Sequence, residues 1–147
     1  MLFRSFLSNG HISPVFYSTL ARAGYFPIEE LSTFRNINSR LQGHPTTHEG
    51  LPGVRIASGS LGQGMSVAIG AALSKKMNGE KNIIYSLHGD GELQEGQNWE
   101  AIMYAAANKV DNLICYRSYK LIYLREEYNE KNNISSICCY FSIRIYI

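Results

Sequence analysis

The stretch SLHGDGELQEGQNWEA, Ser86 to Ala101, sets an acidic residue between two glycines directly after a short apolar run. Upstream, NIIYSL (82–87) runs β-branched and aromatic residues unbroken into the glycines, which predicts a strand. Downstream, GQNWEAIMYAAANK (96–109) reads as a long helix and DNLICY (111–116) as the start of another strand. Strand, helix, strand at this spacing predicts a right-handed crossover in a parallel sheet. Ligands of such sheets sit at the carboxyl ends of the strands, where His88, Asp90 and Gly91 fall. Gly-Asp-Gly alone is common in turns. Here it presents a carboxylate that can hold Mg²⁺ beside backbone N–H groups able to approach a diphosphate. Mg²⁺ takes one or two ligands from protein and the rest from phosphate and water, so a partner for Asp90 has to be sought.

Working back from this turn, LGQGMSVAIGAALSKKMNG (61–79) predicts a helix with small residues on its buried face and Gly79 as its stop. Before it, Arg35 to Ser60 is a loop rich in Gly, Pro, His and Thr. Pro27 opens a short expected helix, PIEELSTF (27–34). Ser13 is placed to cap another, with Pro14 at its first position and Gly24 at its end. The fold class is therefore α/β, a parallel sheet flanked by helices.

The chain has 147 residues, enough for one domain with a core and too few for two ordinary ones. Up to Ile114, nine Lys/Arg cancel nine Asp/Glu. No basic stripe or aromatic-interleaved patch marks a nucleic-acid surface. No apolar run has spanning length, and MLFRSFLSNGH lacks the apolar core and cleavage site of a secretory signal, so a cytoplasmic location with no membrane association is expected. Residues 115–147 differ in kind. They hold six Ile, six Tyr and three Cys, with no Gly, Ala or Pro, whereas all thirteen glycines precede them. Cys115, Cys138 and Cys139 show neither a disulfide framework nor metal spacing to a histidine. The division expected is a 1–114 domain and an unrelated 115–147 tail, such as a shifted reading frame would produce; a terminal pair of strands is the alternative.

Four segments, SNGHISPVFYSTLARAGY, LQGHPTTHEGLPG, ASGSLGQGMSVAIGAA and HGDGELQEGQNWEA, occur in this order. Together they resemble the thiamin-diphosphate-binding part of transketolase, in the form found as a separate N-terminal subunit, over about residues 8–114. That resemblance implies an incomplete thiamin-diphosphate-binding fold, truncated at both ends. It also implies the site residues. Asp90 matches a Mg²⁺ ligand and Gly91 a backbone donor to the diphosphate; Glu95 matches a carboxylate near the subunit interface that links two cofactor sites. His11 matches a histidine at the diphosphate, and His44 one that faces substrate and the reactive thiazolium. Gly59, Leu61 and Gly62 match the segment packed against the cofactor. His48 and His88 are expected to be polar loop residues, Trp99 core, Glu92 a helix-start carboxylate and Glu100 a solvated one.

The implied activity is transfer of a two-carbon ketol unit from ketose phosphate to aldose phosphate, as in the pentose phosphate pathway. The implied cofactors are thiamin diphosphate and Mg²⁺. The implied partner is the C-terminal, pyrimidine-binding subunit, which carries the glutamate that activates the cofactor, in a homo- or hetero-oligomer. The chain alone is thus expected to be inactive; a non-catalytic interface partner without cofactor is the alternative. The family's second Mg²⁺ ligand, an Asn about thirty residues past the Asp, is due where this sequence has Lys120. An ammonium cannot ligate a cation.

Overall fold

The computed structural model describes residues 4–119 and the backbone of 140–141. Lys120, Cys138 and Cys139 lie outside the described residues, as do Asn129, Asn132 and Asn133, the asparagines that follow Lys120 in the sequence. The elements are β1 (Ser5–Leu7), α1 (Ser13–Arg22), α2 (Gln63–Met77), β2 (Ile84–His88), α3 (Gly96–Ala107), β3 (Leu113–Tyr119) and β4 (Tyr140–Phe141). The sheet order is β1-β2-β3-β4. The first three strands run parallel, with Leu7 beside Leu87 and Ile84 beside Leu113, and β4 pairs antiparallel to the end of β3. The α/β expectation and its strand–helix–strand unit stand.

The strand alternation explains the layers. Ile84, Ser86 and His88 are buried on one face of β2. Ile84 joins Met65, Ala68, Ile69 and Ala72 of α2, Ala101 and Ala105 of α3, and Leu113 and Cys115 of β3 in one core cluster. Small side chains on α2 let that helix lie close to the sheet. Its buried stripe of Gly64, Ala68 and Ala72 is the one expected from the sequence. On the other face, Leu7 and Leu87 line an apolar groove of about 510 Å³ with Val15 and Phe16 of α1 and Ile12 just before it. Tyr85 and Tyr116 stack within it, their ring centroids 6.4 Å apart. A second cluster, Tyr17, Leu20, Phe26, Leu41, Leu51 and Val54, packs the long loop against α1. Among the described residues no helix is long and apolar enough to cross a membrane.

Two local readings differ from expectation, and two strands have extents that the sequence reading did not delimit. Ser13 is inside α1 rather than capping it, because its hydroxyl donates to Gly43 O at 2.6 Å. The segment after Pro27 forms a 3₁₀ helix, Ile28–Thr33, in which Ser32 and Thr33 hydroxyls bond carbonyls three residues back. Side-chain competition of this kind is why Ser and Thr favour tight turns over α-helix. Strand β1 has only three residues, too few for a periodic signal. Strand β3 also continues five residues past Ile114, with Cys115 buried at 4% exposure. Burial pushes its thiol pKa up to about 11.

Two glycines of α2 behave oppositely. A Cβ on Gly64 would collide with Ser8, while one on Gly70 meets nothing within 4 Å. Gly64→Ala is expected to cost about 3 kcal/mol by overpacking, and Gly70→Ala to gain up to about 1 kcal/mol from helix propensity. Urea midpoints compared with the parent chain check both.

Candidate functional site

The site forms where β1 and β2 end side by side. Ser8 N–H donates to Leu87 O at 2.9 Å, extending the parallel ladder one step past β1. The chain then turns sharply: Asn9 Oδ1 accepts His11 N–H at 3.2 Å and opens a single 3₁₀ turn, Gly10–Ile12. His11 is thereby exposed at the mouth of the site. His44 reaches the same place from the long loop. Its neighbours are tied to α1: Ser13 Oγ donates to Gly43 O, and Tyr17 OH to Gln42 O at 3.0 Å. Burial, with the Glu49 carboxylate adding to it, pushes the Tyr17 phenol up to about 12, so it remains a donor. The His11 and His44 rings meet edge to face, with centroids 4.9 Å apart and planes at 88°.

Gly59 lies against His44. A Cβ there would come 2.8 Å from His44 Cδ2, and its φ of +137° is one that side chains rarely adopt. Leu61 is half-buried and Gly62 buried, at the entry to α2.

After β2 the backbone runs through Gly89 and Asp90 into a 3₁₀ turn, Gly91–Gln94. Asp90 and Gly91 are both exposed. Asp90 Oδ1 accepts Gly91 N–H at 2.9 Å, and the space above the Gly91 Cα holds nothing within 4 Å of a Cβ position.

Beneath this exposed layer is a buried carboxylate. Glu92 is 2% exposed. Its Oε1 accepts from Ser8 Oγ and from Gly62 N–H at 2.9 Å. Its Oε2 accepts from Gly89 N–H at 3.0 Å and lies 3.7 Å from His88 Nδ1. Ser8 Oγ also accepts Gly64 N–H at 3.1 Å, and Asn98 Nδ2 donates to Glu92 O at 2.6 Å. Burial on its own would raise the Glu92 pKa. The His88 ring beside Oε2 and the hydrogen bonds from Ser8, Gly62 and Gly89 outweigh it and bring the pKa down to about 2. His88 in turn pairs through Nε2 with Ser86 Oγ at 2.7 Å. This serine–histidine–glutamate line is not a nucleophilic triad, because Ser86 and His88 are each 1% exposed and no substrate reaches them.

A sequence model described as "Transketolase, thiamine diphosphate binding domain" matches residues 3–127. The chain belongs to the transketolase family. A subunit of the apulose-4-phosphate transketolase of Actinobacillus succinogenes is 50% identical over 107 residues, covering 73% of this chain and 38% of that protein. The 6-deoxy-6-sulfo-D-fructose transketolase subunit SqwG of a Clostridium species is 44% identical over 116 residues, covering 79% of this chain and 42% of that one. A solved transketolase structure from Pichia stipitis superposes with a TM-score of 0.75 at 33% identity, over 82% of this chain and 19% of its own. The chain thus spans less than half the length of these relatives.

Within this transketolase-type domain, the structure brings together His11, His44 and Gly59, and it places Asp90 and Gly91 on the neighbouring strand end. Glu95 caps the start of α3, exposed, with its Cβ 3.0 Å from a Cβ position on Gly62. The donor set suits a cation held mainly by phosphate oxygens. Asp90 offers one exposed carboxylate, Gly91 has open space above it, and among the described residues no group of three or more His, Cys, Asp or Glu gathers as a protein-only metal site.

Two expectations are corrected. His88 is a buried strand residue, held by Ser86, and not a loop residue. Trp99 is 56% exposed, its indole N–H donating to Leu93 O at 2.9 Å, because its position on α3 faces away from the sheet. Glu92 does stand at a helix start, but its reach to Ser8, 84 positions away, gave no local signal. Glu100 is exposed, as expected.

The Glu92 linkage sets a pH test. Its folded pKa lies below the ordinary carboxylate value of 4.5, so its stabilisation is complete above about pH 5 and is lost as pH falls towards 2. Between those limits the parent chain is expected to lose on the order of 3 kcal/mol more than Glu92→Gln. Urea unfolding across that range measures the difference; parallel acid slopes in the two proteins would contradict it.

Proposed function

We propose that this chain binds thiamin diphosphate with Mg²⁺ and, with a pyrimidine-binding partner subunit, transfers a two-carbon ketol unit from ketose phosphate to aldose phosphate. The observation that carries the reading is that the adjacent, parallel strands β1 and β2 end in exposed residues of this kind: His11, with His44 of the long loop against it, follows β1, and Asp90 and Gly91 follow β2. The names of the two bacterial relatives support a division between separate chains, since each is called a transketolase subunit.

In this reading Asp90 supplies the protein carboxylate to Mg²⁺ and Gly91 its amide to the diphosphate, giving up the bond to Asp90 Oδ1. His11 donates towards the diphosphate. His44 would stand on the substrate side of the bound cofactor, where an imidazole can take or give a proton near neutral pH. Leu61 offers an apolar wall, and Gly59 and Gly62 allow close approach of backbone. Bound thiamin diphosphate supplies the electron sink that lets the carbon–carbon bond beside the substrate carbonyl break. Glu95 faces the partner. The setting is cytoplasmic, and the chain without its partner does not turn over substrate.

Calorimetry with thiamin diphosphate and Mg²⁺, with and without a matching C-terminal subunit, tests the reading. Binding is expected to need Mg²⁺, and Asp90→Ala to weaken it at least tenfold. Ketol transfer is expected only when both chains are present. Binding indifferent to both Mg²⁺ and Asp90 would sink the proposal.

A further inference from the structure

We infer that Glu92 is a positioning residue that fixes the two turns facing the diphosphate through separate oxygens of one buried carboxylate, an inference that rests on the proposed thiamin-diphosphate site. Three chain segments meet there and share no direct covalent neighbourhood: the end of β1 at Ser8, the entry to α2 at Gly62, and the turn after β2 at Gly89. Each carries residues of the exposed layer a few positions away. Ser8 leads to His11, Gly62 closes the Gly59–Leu61 segment, and Gly89 precedes Asp90 and Gly91.

The division of labour follows from the contacts. Oε1 serves Ser8 and Gly62, and Ser8 relays the hold to Gly64 N–H. Oε2 serves Gly89 alone among backbone donors, with His88 Nδ1 beside it. The backbone of Glu92 is itself held, by Asn98 at its carbonyl. The carboxylate therefore cannot swing to follow one turn without releasing the other. Its buried position leaves it out of reach of ligand, so it acts through Gly62 and Gly89 and makes no contact with substrate.

Replacing one oxygen by an amide separates the two arms. In Glu92→Gln the carbonyl oxygen can keep the Ser8 and Gly62 donors. The NH₂ then faces Gly89 N–H, donor against donor, while His88 Nδ1 is placed to accept from it by a change of tautomer. The Asp90–Gly91 turn is released and the α2 entry is kept.

Amide hydrogen exchange by NMR on the full chain, without ligand, reads this directly. Glu92→Gln is expected to speed exchange at Gly89 at least tenfold and to change Gly62 less than twofold. Ser8→Ala is expected to act on the other arm, speeding Gly64, whose N–H loses its acceptor, at least tenfold while leaving Gly89 unchanged, and it decides the matter if Glu92→Gln does not fold. A similar rise at all these amides, or no rise at any, overturns the assignment, since a merely structural carboxylate would loosen them together. Calorimetry then adds the second readout: Glu92→Gln is expected to bind thiamin diphosphate and Mg²⁺ at least tenfold more weakly, and unchanged affinity overturns the positioning role. If the parent chain itself takes up neither, the functional reading fails, and the exchange pattern still judges the two-armed hold.

Discussion

A carboxylate taken out of water is costly unless donors replace the hydration it loses. Glu92 meets that condition with donors from three segments, and those segments are the ones from which the exposed layer rises. The parallel sheet brings the strand ends side by side, but a sheet fixes only strands. Beyond each strand end lies short irregular chain, free in principle to take many paths. One buried anion, surrounded by N–H and O–H groups, selects among those paths, because any other arrangement leaves either a charge or a backbone amide unsatisfied.

The long loop is organised by a different means. It has few regular backbone ladders, and its position comes from apolar packing on α1 and from two hydroxyls, Ser13 and Tyr17, that reach out of the helix to consecutive carbonyls. His44 comes directly after those carbonyls, so α1 determines where the imidazole stands. The two histidines thus share a helix as common support: His11 stands two residues before it, and His44 is moored to its first two turns.

Much of this was legible in the sequence wherever the signal is local. The small-residue stripe of α2, the apolar run of β2 ending in Gly-Asp-Gly, and the helix beginning at Gly96 follow periodicity and punctuation, and the structure has them. The four motif segments pointed to the exposed residues as a set. The features that were not legible depend on partners distant in the chain or on the face a residue takes. Glu92 reads as an ordinary helix-start acid until Ser8 and Gly62 are beside it, and His88 reads as a loop residue until Ser86, two places back on the same strand face, takes its ring nitrogen. Trp99 shows the opposite failure: its size suggests core, yet the positions of α3 turned to the sheet core are Ala101 and Ala105, with Ile102 packed beside them, and Trp99 lies off that face.

The contact between Gly59 and His44 has a consequence for how such a chain can vary. At position 44 a different side chain would change what is presented at the mouth of the site while the backbone around it stayed possible. At position 59 any side chain would be strained by the backbone conformation and would press on the imidazole, so a change there would displace His44 itself. A residue with no side chain thus carries a share of the shape of the site that no other residue type takes over without strain.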